Sequence, residues 1–160
     1  MINIYSPKDI GTIRKGGRIL GNIMQQTLAK VAPGVSTLEL DQFVDQSIQV
    51  SGAAPSFKME KGYSFATCMC VGDMVVHGIP TNYKLQIGDR LGIDAGVYYQ
   101  GFHTDASWSI VIGDKNPEIK TFLDTGERAL REAIAKCTVG NHIGDISKQI
   151  QDIVEAGGYS

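Results

Sequence analysis

The chain has 160 residues, of which 42% are hydrophobic and 20% are charged, and its formal net charge is −2. This length fits one domain with a substantial buried core, and the composition is ordinary for a globular protein. The near-neutral charge, without any basic run, excludes the electrostatic footprint of a nucleic-acid-binding surface. No apolar run is long enough to span a bilayer, and the first residues lack the basic and apolar regions of a signal peptide. We therefore expect a cytoplasmic protein without membrane contact.

Two helices are predicted at the beginning of the chain. The first should begin after Ser6, which forms a capping box with Asp9, and should end at Pro33-Gly34. The second should begin after Ser36, which starts another capping box, and should end at Gly52. Apolar residues recur at helical spacing within both segments, so each helix is expected to bury one face.

The middle of the chain is predicted to form strands. The runs 63–71 and 74–77 are β-like and are separated by the turn Gly72-Asp73. Residues 78–89 have the composition of a loop, and a hairpin follows them. The chain has three cysteines, an odd number, which fits reduced thiols. Those in Cys68-Met69-Cys70 are interpreted as small apolar residues of a strand.

The hairpin is predicted around Tyr99-Gln100-Gly101, where the glycine permits the backbone angles of a tight turn. With the turn centred between Tyr99 and Gln100, opposed residues lie about 4.5–5.5 Å apart at Cβ. One face of the hairpin is then mostly apolar, and the other is polar and open. The predicted cross-strand pairs are Val97 with Phe102, Gly96 with His103, Ala95 with Thr104, and Asp94 with Asp105.

The opposed carboxylates of Asp94 and Asp105 need compensation, because like charges on neighbouring strands repel. Three interpretations are open. A bound divalent cation would neutralise both carboxylates. The pair could instead share a proton, as acid–base dyads do. Alternatively, the strands slip in register and one aspartate faces solvent.

Two further helices are predicted after the hairpin. One begins at Asn116-Pro117 and ends at Gly140, and the other spans about residues 144–156 and ends at Gly157-Gly158. The same order of helices and glycines occurs earlier in the chain at an offset of 106 residues, which favours a duplication. The matching positions are Gly34 and Gly140, Leu40 and Ile146, Val44 and Ile150, Ile48 and Val154, and Gly52 and Gly158.

Three motifs of the middle region together resemble the type I methionine aminopeptidases. They are His77-Gly78-Ile79-Pro80, the segment GIDAG at residues 92–96, and the segment GFHTDAS at residues 101–107. A lone histidine after an apolar run is more often an ordinary structural residue than a catalyst. Its combination with two aspartates that are eleven positions apart is specific, and the resemblance runs from about Ser6 to the last residue.

The resemblance implies roles for individual residues. It implies that Asp94 and Asp105 are metal ligands and that His77 is catalytic, contacting the substrate and assisting proton transfer. Tyr63 and Cys68 fall at positions that line the pocket for the first side chain of the substrate. In the complete family, two divalent ions such as Co, Mn, Fe or Zn activate a bridging water. The implied activity is that of a hydrolase, a metalloaminopeptidase that removes the initiator methionine from nascent polypeptides.

The resemblance also implies the fold. The family has an α/β (α+β) fold called pita-bread or creatinase-like, in which an antiparallel sheet is covered by helices and two halves are related by a pseudo-twofold axis. Residues 1–160 are expected to form a single, incomplete domain that comprises the first half and two helices of the second. The strands of the second half, with a histidine and two glutamates that complete the metal site, are expected beyond the last residue. The isolated chain is therefore expected to lack full activity.

Other functions fit parts of the pattern. Relatives with this fold that have lost metal ligands bind proteins or RNA, so a non-catalytic binding module or an inactive fragment is the alternative. Proline-specific peptidases of the same fold are a third option. The presence of His77, Asp94 and Asp105 together argues against a non-catalytic module. The early start of the helix pair and the strand that contains Cys68 favour the methionine enzymes over the proline-specific ones. Expected partners are peptides and nascent chains with an N-terminal methionine, at the ribosome, and a second copy of the chain through an uncovered sheet.

Overall fold

The computed structural model describes residues 3–113 and 116–160. In chain order the elements are α1 (Pro7–Lys30), α2 (Thr37–Val50), β1 (Ala54–Pro55), a short 3₁₀ helix (Phe57–Met59), β2 (Thr67–Val71), β3 (Arg90–Tyr99), β4 (Phe102–Val111), α3 (Pro117–Ala135) and α4 (Ile143–Ala156). They form two compact units, one up to residue 114 and one from residue 115. Within the described residues, no helix is long and apolar enough to cross a membrane. The expected mixture of helices and antiparallel sheet is confirmed.

The helices begin where their capping residues predict. The Ser6 side chain accepts a hydrogen bond from the backbone N–H of Asp9, and the Asp9 carboxylate accepts one from Ser6 in return. Ser36 and Glu39 make the same reciprocal pair at the start of α2. Asn116 caps α3 through its side-chain oxygen. These contacts satisfy N–H groups that the first turn of a helix leaves free.

The core of the first unit lies between helices α1 and α2 and one face of the sheet. Every second residue of β3 points into it, and four of these are almost inaccessible to solvent: Leu91, Ile93, Ala95 and Val97. Helix α1 contributes Leu20, Ile23 and Met24, and helix α2 contributes Leu40, Val44 and Ile48. Each fully buried aliphatic side chain of this kind stabilises the fold by about 1.5–3 kcal/mol. The same alternation places the remaining side chains of β3 on the opposite face of the sheet.

Strand β3 is the centre of the sheet. Strand β4 pairs with it along one side, whereas β2 and then β1 pair with successive parts of its other side, all antiparallel. The predicted strand 63–71 is shorter than expected, because only its second half, β2, is paired. The predicted strand 74–77 is wrong. Its last residue, His77, has a φ of 56°, which no extended strand can accommodate.

The hairpin turn lies one residue further along the chain than predicted. Gln100 and Gly101 form it, with φ values of 48° and 94°, and a two-residue type I′ turn requires positive φ at both positions. Asp94 is therefore opposite Ser107, and Asp105 is opposite Gly96. The predicted pairs Val97–Phe102, Gly96–His103, Ala95–Thr104 and Asp94–Asp105 are wrong by two residues. A shift of two keeps every side chain on its predicted face, because side chains alternate along a strand.

The predicted repeat is also visible in the helix bounds and in the backbone conformations of the flanking glycines. Helices α2 and α4 have bounds that differ by 106 residues at both ends. The glycines that precede and follow them adopt matching left-handed conformations, with φ values of 86° and 98° at Gly34 and Gly140, and 72° and 82° at Gly52 and Gly158. Both halves of the repeat therefore use the same local signals to begin and end the second helix.

The apolar stripe predicted for α3 is only partly covered within the described residues. Ala129 and Ala133 are buried, whereas Phe122, Leu130 and Ile134 are 52%, 53% and 60% exposed. The stripe also included Ile119, Leu123 and Cys137, of which Cys137 is exposed. Exposed apolar side chains that are grouped on one helix mark a surface suited to contact with other protein.

Candidate metal centre

The face of the sheet opposite the core carries the polar residues that the sequence singled out. Asp94 is on this face of β3, because it alternates with the buried residues Ile93 and Ala95. Cys68 of β2 pairs with Asp94, and Asp105 of β4 pairs with Gly96, two positions along β3. Diagonal neighbours on adjacent strands are about 7–8 Å apart. The two carboxylates are therefore close enough to share one ligand.

One carboxylate oxygen of Asp94, Oδ1, is buried and has no hydrogen-bond partner in the described part of the chain. Burial, the negative charge of Asp105 and a hydrogen bond between the two carboxyl groups, in decreasing order, raise the pKa of Asp94 to about 6. A buried polar atom without a partner costs about 1–3 kcal/mol, and more if it is charged. Hard divalent cations take carboxylate oxygens as ligands. The two aspartates thus fit a divalent metal ion.

The three interpretations of the aspartate pair can now be compared. The register did slip, and the Asp105 side chain is exposed. The slip did not move the two carboxylates to different faces of the sheet, because the register differs by two residues and side chains alternate along a strand. A shared cation and a shared proton both remain compatible with the geometry. The raised pKa of Asp94 follows from burial and from the neighbouring Asp105, and a bound cation would lower that pKa again.

His77 lies in the loop after β2 and close to the aspartates. Its side chain is exposed, and its backbone is left-handed. The positive charge of His77 lowers the pKa of Asp94, although this effect is smaller than the three that raise it. The structure therefore brings His77 into electrostatic reach of Asp94 from a loop rather than from the strand that was predicted.

Tyr63 and Cys68 lie together beside Asp94. The Tyr63 hydroxyl donates to the backbone oxygen of Thr67 at 2.7 Å and lies 3.4 Å from the Cys68 sulfur. Burial is the main cause that raises the pKa of both side chains, and the charges of Asp94 and Asp105 add to it for Cys68. Both groups are therefore neutral at physiological pH and form a weakly polar surface next to the carboxylates.

The segment just before and within the 3₁₀ helix also reaches this face. A Cβ at Gly96 would lie 2.7 Å from the Cβ of Ser56 and 2.9 Å from Cε1 of Phe57, so the glycine admits both residues. The Ser56 hydroxyl and Nδ1 of His103 are 2.6 Å apart and hydrogen-bonded. Sequence reasoning did not place this segment. The available signal was Gly96 itself, because a glycine within a strand often marks a close approach of other backbone.

Comparison with known proteins identifies the family. Residues 11–160 match the model of metallopeptidase family M24. The chain belongs to this family. The M24 chain is 38% identical, over 160 residues, to the methionine aminopeptidase of Clostridium perfringens, with all of the chain and 64% of that relative covered.

Solved structures agree with the family assignment. The crystal structure of methionine aminopeptidase from Rickettsia prowazekii superposes with a TM-score of 0.96 and 29% identity, covering 100% of this M24 chain and 64% of that protein. The prolidase from Pyrococcus horikoshii OT3 shares the fold, with a TM-score of 0.85 at 22% identity. The superposition covers 98% of this chain and 44% of the prolidase. The expected pita-bread fold is thereby confirmed. The M24 chain spans less than two thirds of the length of these methionine aminopeptidases, as expected for the N-terminal part of one.

In the described part of the chain, the remaining histidines and the glutamates of α3 and α4 do not join the two aspartates. His103 is bonded to Ser56, and His142 is an exposed residue just before α4. Four glutamates on helices α3 and α4 are all exposed: Glu118, Glu127, Glu132 and Glu155. Among residues 3–113 and 116–160, no group of three or more His, Cys, Asp and Glu side chains is arranged to hold a metal ion. The ligands that the described residues offer at this position are therefore the carboxylates of Asp94 and Asp105.

Proposed function

We propose that this chain is the N-terminal part of a methionine aminopeptidase, which removes the initiator methionine from newly made polypeptides in the cytoplasm. The observation that carries the proposal is the placement of Asp94 and Asp105 on one open face, with Oδ1 of Asp94 buried and unpartnered among the described residues. The 38% identity to a methionine aminopeptidase over the full chain supports this substrate class. It also favours that class over the proline-specific one, for which the likeness supports the fold alone.

Asp94 and Asp105 would hold divalent metal ions, two in a complete site, with Co, Mn, Fe and Zn as candidates. Bound there, such ions lower the pKa of water and polarise the peptide carbonyl. The chain contributes anionic oxygens on two paired strands, of which β3 packs its opposite face against the core. That packing fixes the spacing of the two carboxylates, which a shared metal site requires.

His77 would contact the substrate and move a proton, since imidazole changes its protonation near neutral pH. Its exposed side chain near Asp94 leaves room for a peptide to approach. Tyr63 and Cys68 would line the pocket for the methionine side chain. Cys68 is buried and pairs with Asp94, and the half-buried Tyr63 contacts its sulfur, so these neutral groups suit a thioether better than a charged side chain.

We infer that residues 1–160 form a single, incomplete domain whose catalytic site needs further groups. Two carboxylates cannot satisfy two divalent ions, and the described residues contain no larger ligand group. The half-exposed apolar residues of α3 would contact additional protein, either more of the family fold or a second copy of this chain. Nascent chains and the ribosome that carries them are the expected partners of the complete enzyme.

Isothermal titration calorimetry with Mn²⁺ tests the metal site. We expect weak, readily reversible binding to the chain and its loss in Asp94→Asn and in Asp105→Asn. The matched control is Asp73→Asn, because Asp73 is an exposed carboxylate that pairs with Arg90. Unchanged binding in both site variants would refute the ligand assignment.

Activity on a Met-Ala-Ser peptide with added cobalt separates the complete enzyme from a fragment. We expect negligible methionine release by the chain alone, because positioning and charge stabilisation fail together when ligands are missing. Addition of the remaining part of a homologous methionine aminopeptidase as a separate fragment is expected to restore release. Turnover by the chain alone that Asp105→Ala abolishes would show that the site is already complete.

A non-catalytic binding module is the second candidate, and the absence of a third ligand among the described residues favours it. Such a module would bind its partner equally well with and without divalent metal. Metal binding that requires both Asp94 and Asp105 would argue against it.

A further inference from the structure

Gly78 approaches the backbone of β2 more closely than a residue with a side chain could. A Cβ at this position would overlap the carbonyl oxygen of Met69 and lie 2.8 Å from its carbonyl carbon. Both atoms belong to a paired strand and cannot rotate away, unlike the side-chain sulfur of Met74, which would also be struck. Position 78 therefore accepts only glycine without separation of the two segments.

Two hydrogen bonds hold Gly78 in this place. The backbone N–H of Met69 donates to the carbonyl oxygen of Gly78 at 2.7 Å. The N–H of Gly78 lies 3.4 Å from the Cys70 sulfur and donates to it. Because Cys70 lies on the same face of the sheet as Asp94, this contact brings the loop to the side of the sheet that carries the aspartates. Gly78 is buried, whereas the residues from Gly72 to His77 are exposed.

The residue immediately before this contact has an unfavourable backbone conformation. His77 has a φ of 56°. Left-handed conformations are costly for any residue with a Cβ, and they persist only where the surrounding structure imposes them. The fixed position of Gly78 supplies that constraint, because the chain must turn sharply to enter it.

We propose that Gly78 is a positioning residue, which by its contact with β2 holds His77 in the left-handed conformation that presents the imidazole to Asp94. The role of His77 in catalysis rests on the function proposed above, whereas the backbone constraint does not. An imidazole held in one orientation avoids the loss of reaction rate that follows from misplaced proton donors and acceptors. The effect of the His77 charge on Asp94 is consistent with this placement.

The backbone constraint is measured by NMR of the labelled 160-residue chain. A strong intraresidue contact between the amide and α protons reports positive φ, and we expect it at His77. In Gly78→Ala it should weaken severalfold as His77 moves to negative φ. Gly92→Ala is the matched control, because a Cβ there would meet only ordinary contacts, the nearest 3.6 Å away. A Gly78→Ala variant in which His77 keeps positive φ overturns the proposal.

The orientation of the imidazole is measured with Mn²⁺ as a paramagnetic probe. Mn²⁺ held by the aspartates should broaden the His77 ring protons strongly, and Gly78→Ala should reduce this broadening severalfold with an unchanged Mn²⁺ dissociation constant. Replacement of a residue that only stabilises the fold would not reduce the broadening of the His77 ring protons while the Mn²⁺ dissociation constant stays the same. Equal broadening in both proteins overturns the proposal. Absence of Mn²⁺ binding in the wild-type chain would contradict the proposed metal site instead, and the φ measurement would still decide the role of Gly78.

A second pair of variants keeps the test decisive if Gly78→Ala does not fold. His77→Gly and His77→Ala both lack the imidazole and both retain Gly78, but only glycine adopts positive φ freely. We expect His77→Gly to unfold about 2–4 °C above His77→Ala, the shift typical of one relieved backbone strain in a chain of this size. Equal unfolding temperatures would show that position 77 is not constrained, and would overturn the proposal.

Discussion

Asp41 of helix α2 holds the beginning of strand β2. One of its carboxylate oxygens accepts hydrogen bonds from the backbone N–H groups of Ala66 and Thr67, both at 2.9 Å, and from the Thr67 hydroxyl at 2.8 Å. The residue is only 4% exposed. Because Cys68 follows directly and pairs with Asp94, Asp41 connects the core to the candidate metal centre.

Replacement of Asp41 by alanine would leave three buried donors without an acceptor. Each unsatisfied buried group costs about 1–3 kcal/mol, and partial entry of water relieves some of this cost. We therefore expect Asp41→Ala to lower the free energy of unfolding by about 3–5 kcal/mol, a large part of the stability of a typical domain. Asp41→Asn retains an oxygen acceptor. Burial already raises the pKa of Asp41, so a neutral side chain is tolerated there, and a loss of about 1 kcal/mol is expected.

Urea denaturation followed by circular dichroism measures these differences. The matched control is Asp45→Ala on the same helix. Asp45 is a partly exposed carboxylate that pairs with Lys58 at 2.6 Å, and such pairs contribute about 0–1 kcal/mol. If Asp41→Ala were no more destabilising than Asp45→Ala, the assignment of Asp41 as the anchor of β2 would be wrong.

Three further predictions concern local geometry and charge. Gly96→Ala should lower the free energy of unfolding by about 1–3 kcal/mol in urea titrations, because its Cβ would lie 2.9 Å from the Phe57 ring; an unchanged midpoint would contradict this packing. Gln100→Asn should raise the free energy of unfolding by about 0.5 kcal/mol, because Asn-Gly favours the type I′ turn in which Gln100 has a φ of 48°; a lower thermal midpoint would argue against it. The hydrogen bond from Lys84, followed by those from Ser36, lowers the pKa of Glu39 from 4.5 to about 2, so the charge of Glu39 stabilises the fold above pH 4.5 and this contribution is lost as the pH falls towards 2. Glu39→Gln should therefore be less stable than the wild type at pH 7, with a difference that narrows at pH 3, and a constant difference in urea titrations at both pH values would contradict this origin.

Local signals predicted the helices well. The boxes of Ser6 with Asp9 and of Ser36 with Glu39 are complete within four residues, so no distant contact is needed to locate the helix starts. The hairpin register could not be predicted from local signals alone. Gln100 adopts positive φ although it is neither glycine nor asparagine, and its sequence gives no indication of this. The turn was therefore placed one residue too early.

The candidate site was predictable to the extent that it follows from alternation along the strands. Asp94, Asp105 and Cys68 share a face because side chains alternate along each strand. An error of two residues in the predicted register does not change the face to which a side chain points. The environment of His77 was not predictable, because it depends on a contact between Gly78 and Met69. The approach of the 3₁₀ helix to Gly96 is likewise a contact between distant segments.

The strict alternation of side chains between the two faces of the sheet along β3 and β4 limits how the gene can change in length. A one-residue insertion within β4 before Asp105 would move its carboxylate to the face occupied by Thr104, and would bring an apolar partner to the open side. Insertions and deletions within these strands are therefore tolerated only when they comprise an even number of residues. In the Gln100-Gly101 turn, an odd number of residues can be added or removed without moving strand side chains to the other face. Length variation among natural or engineered versions of this hairpin is expected to be concentrated at its tip.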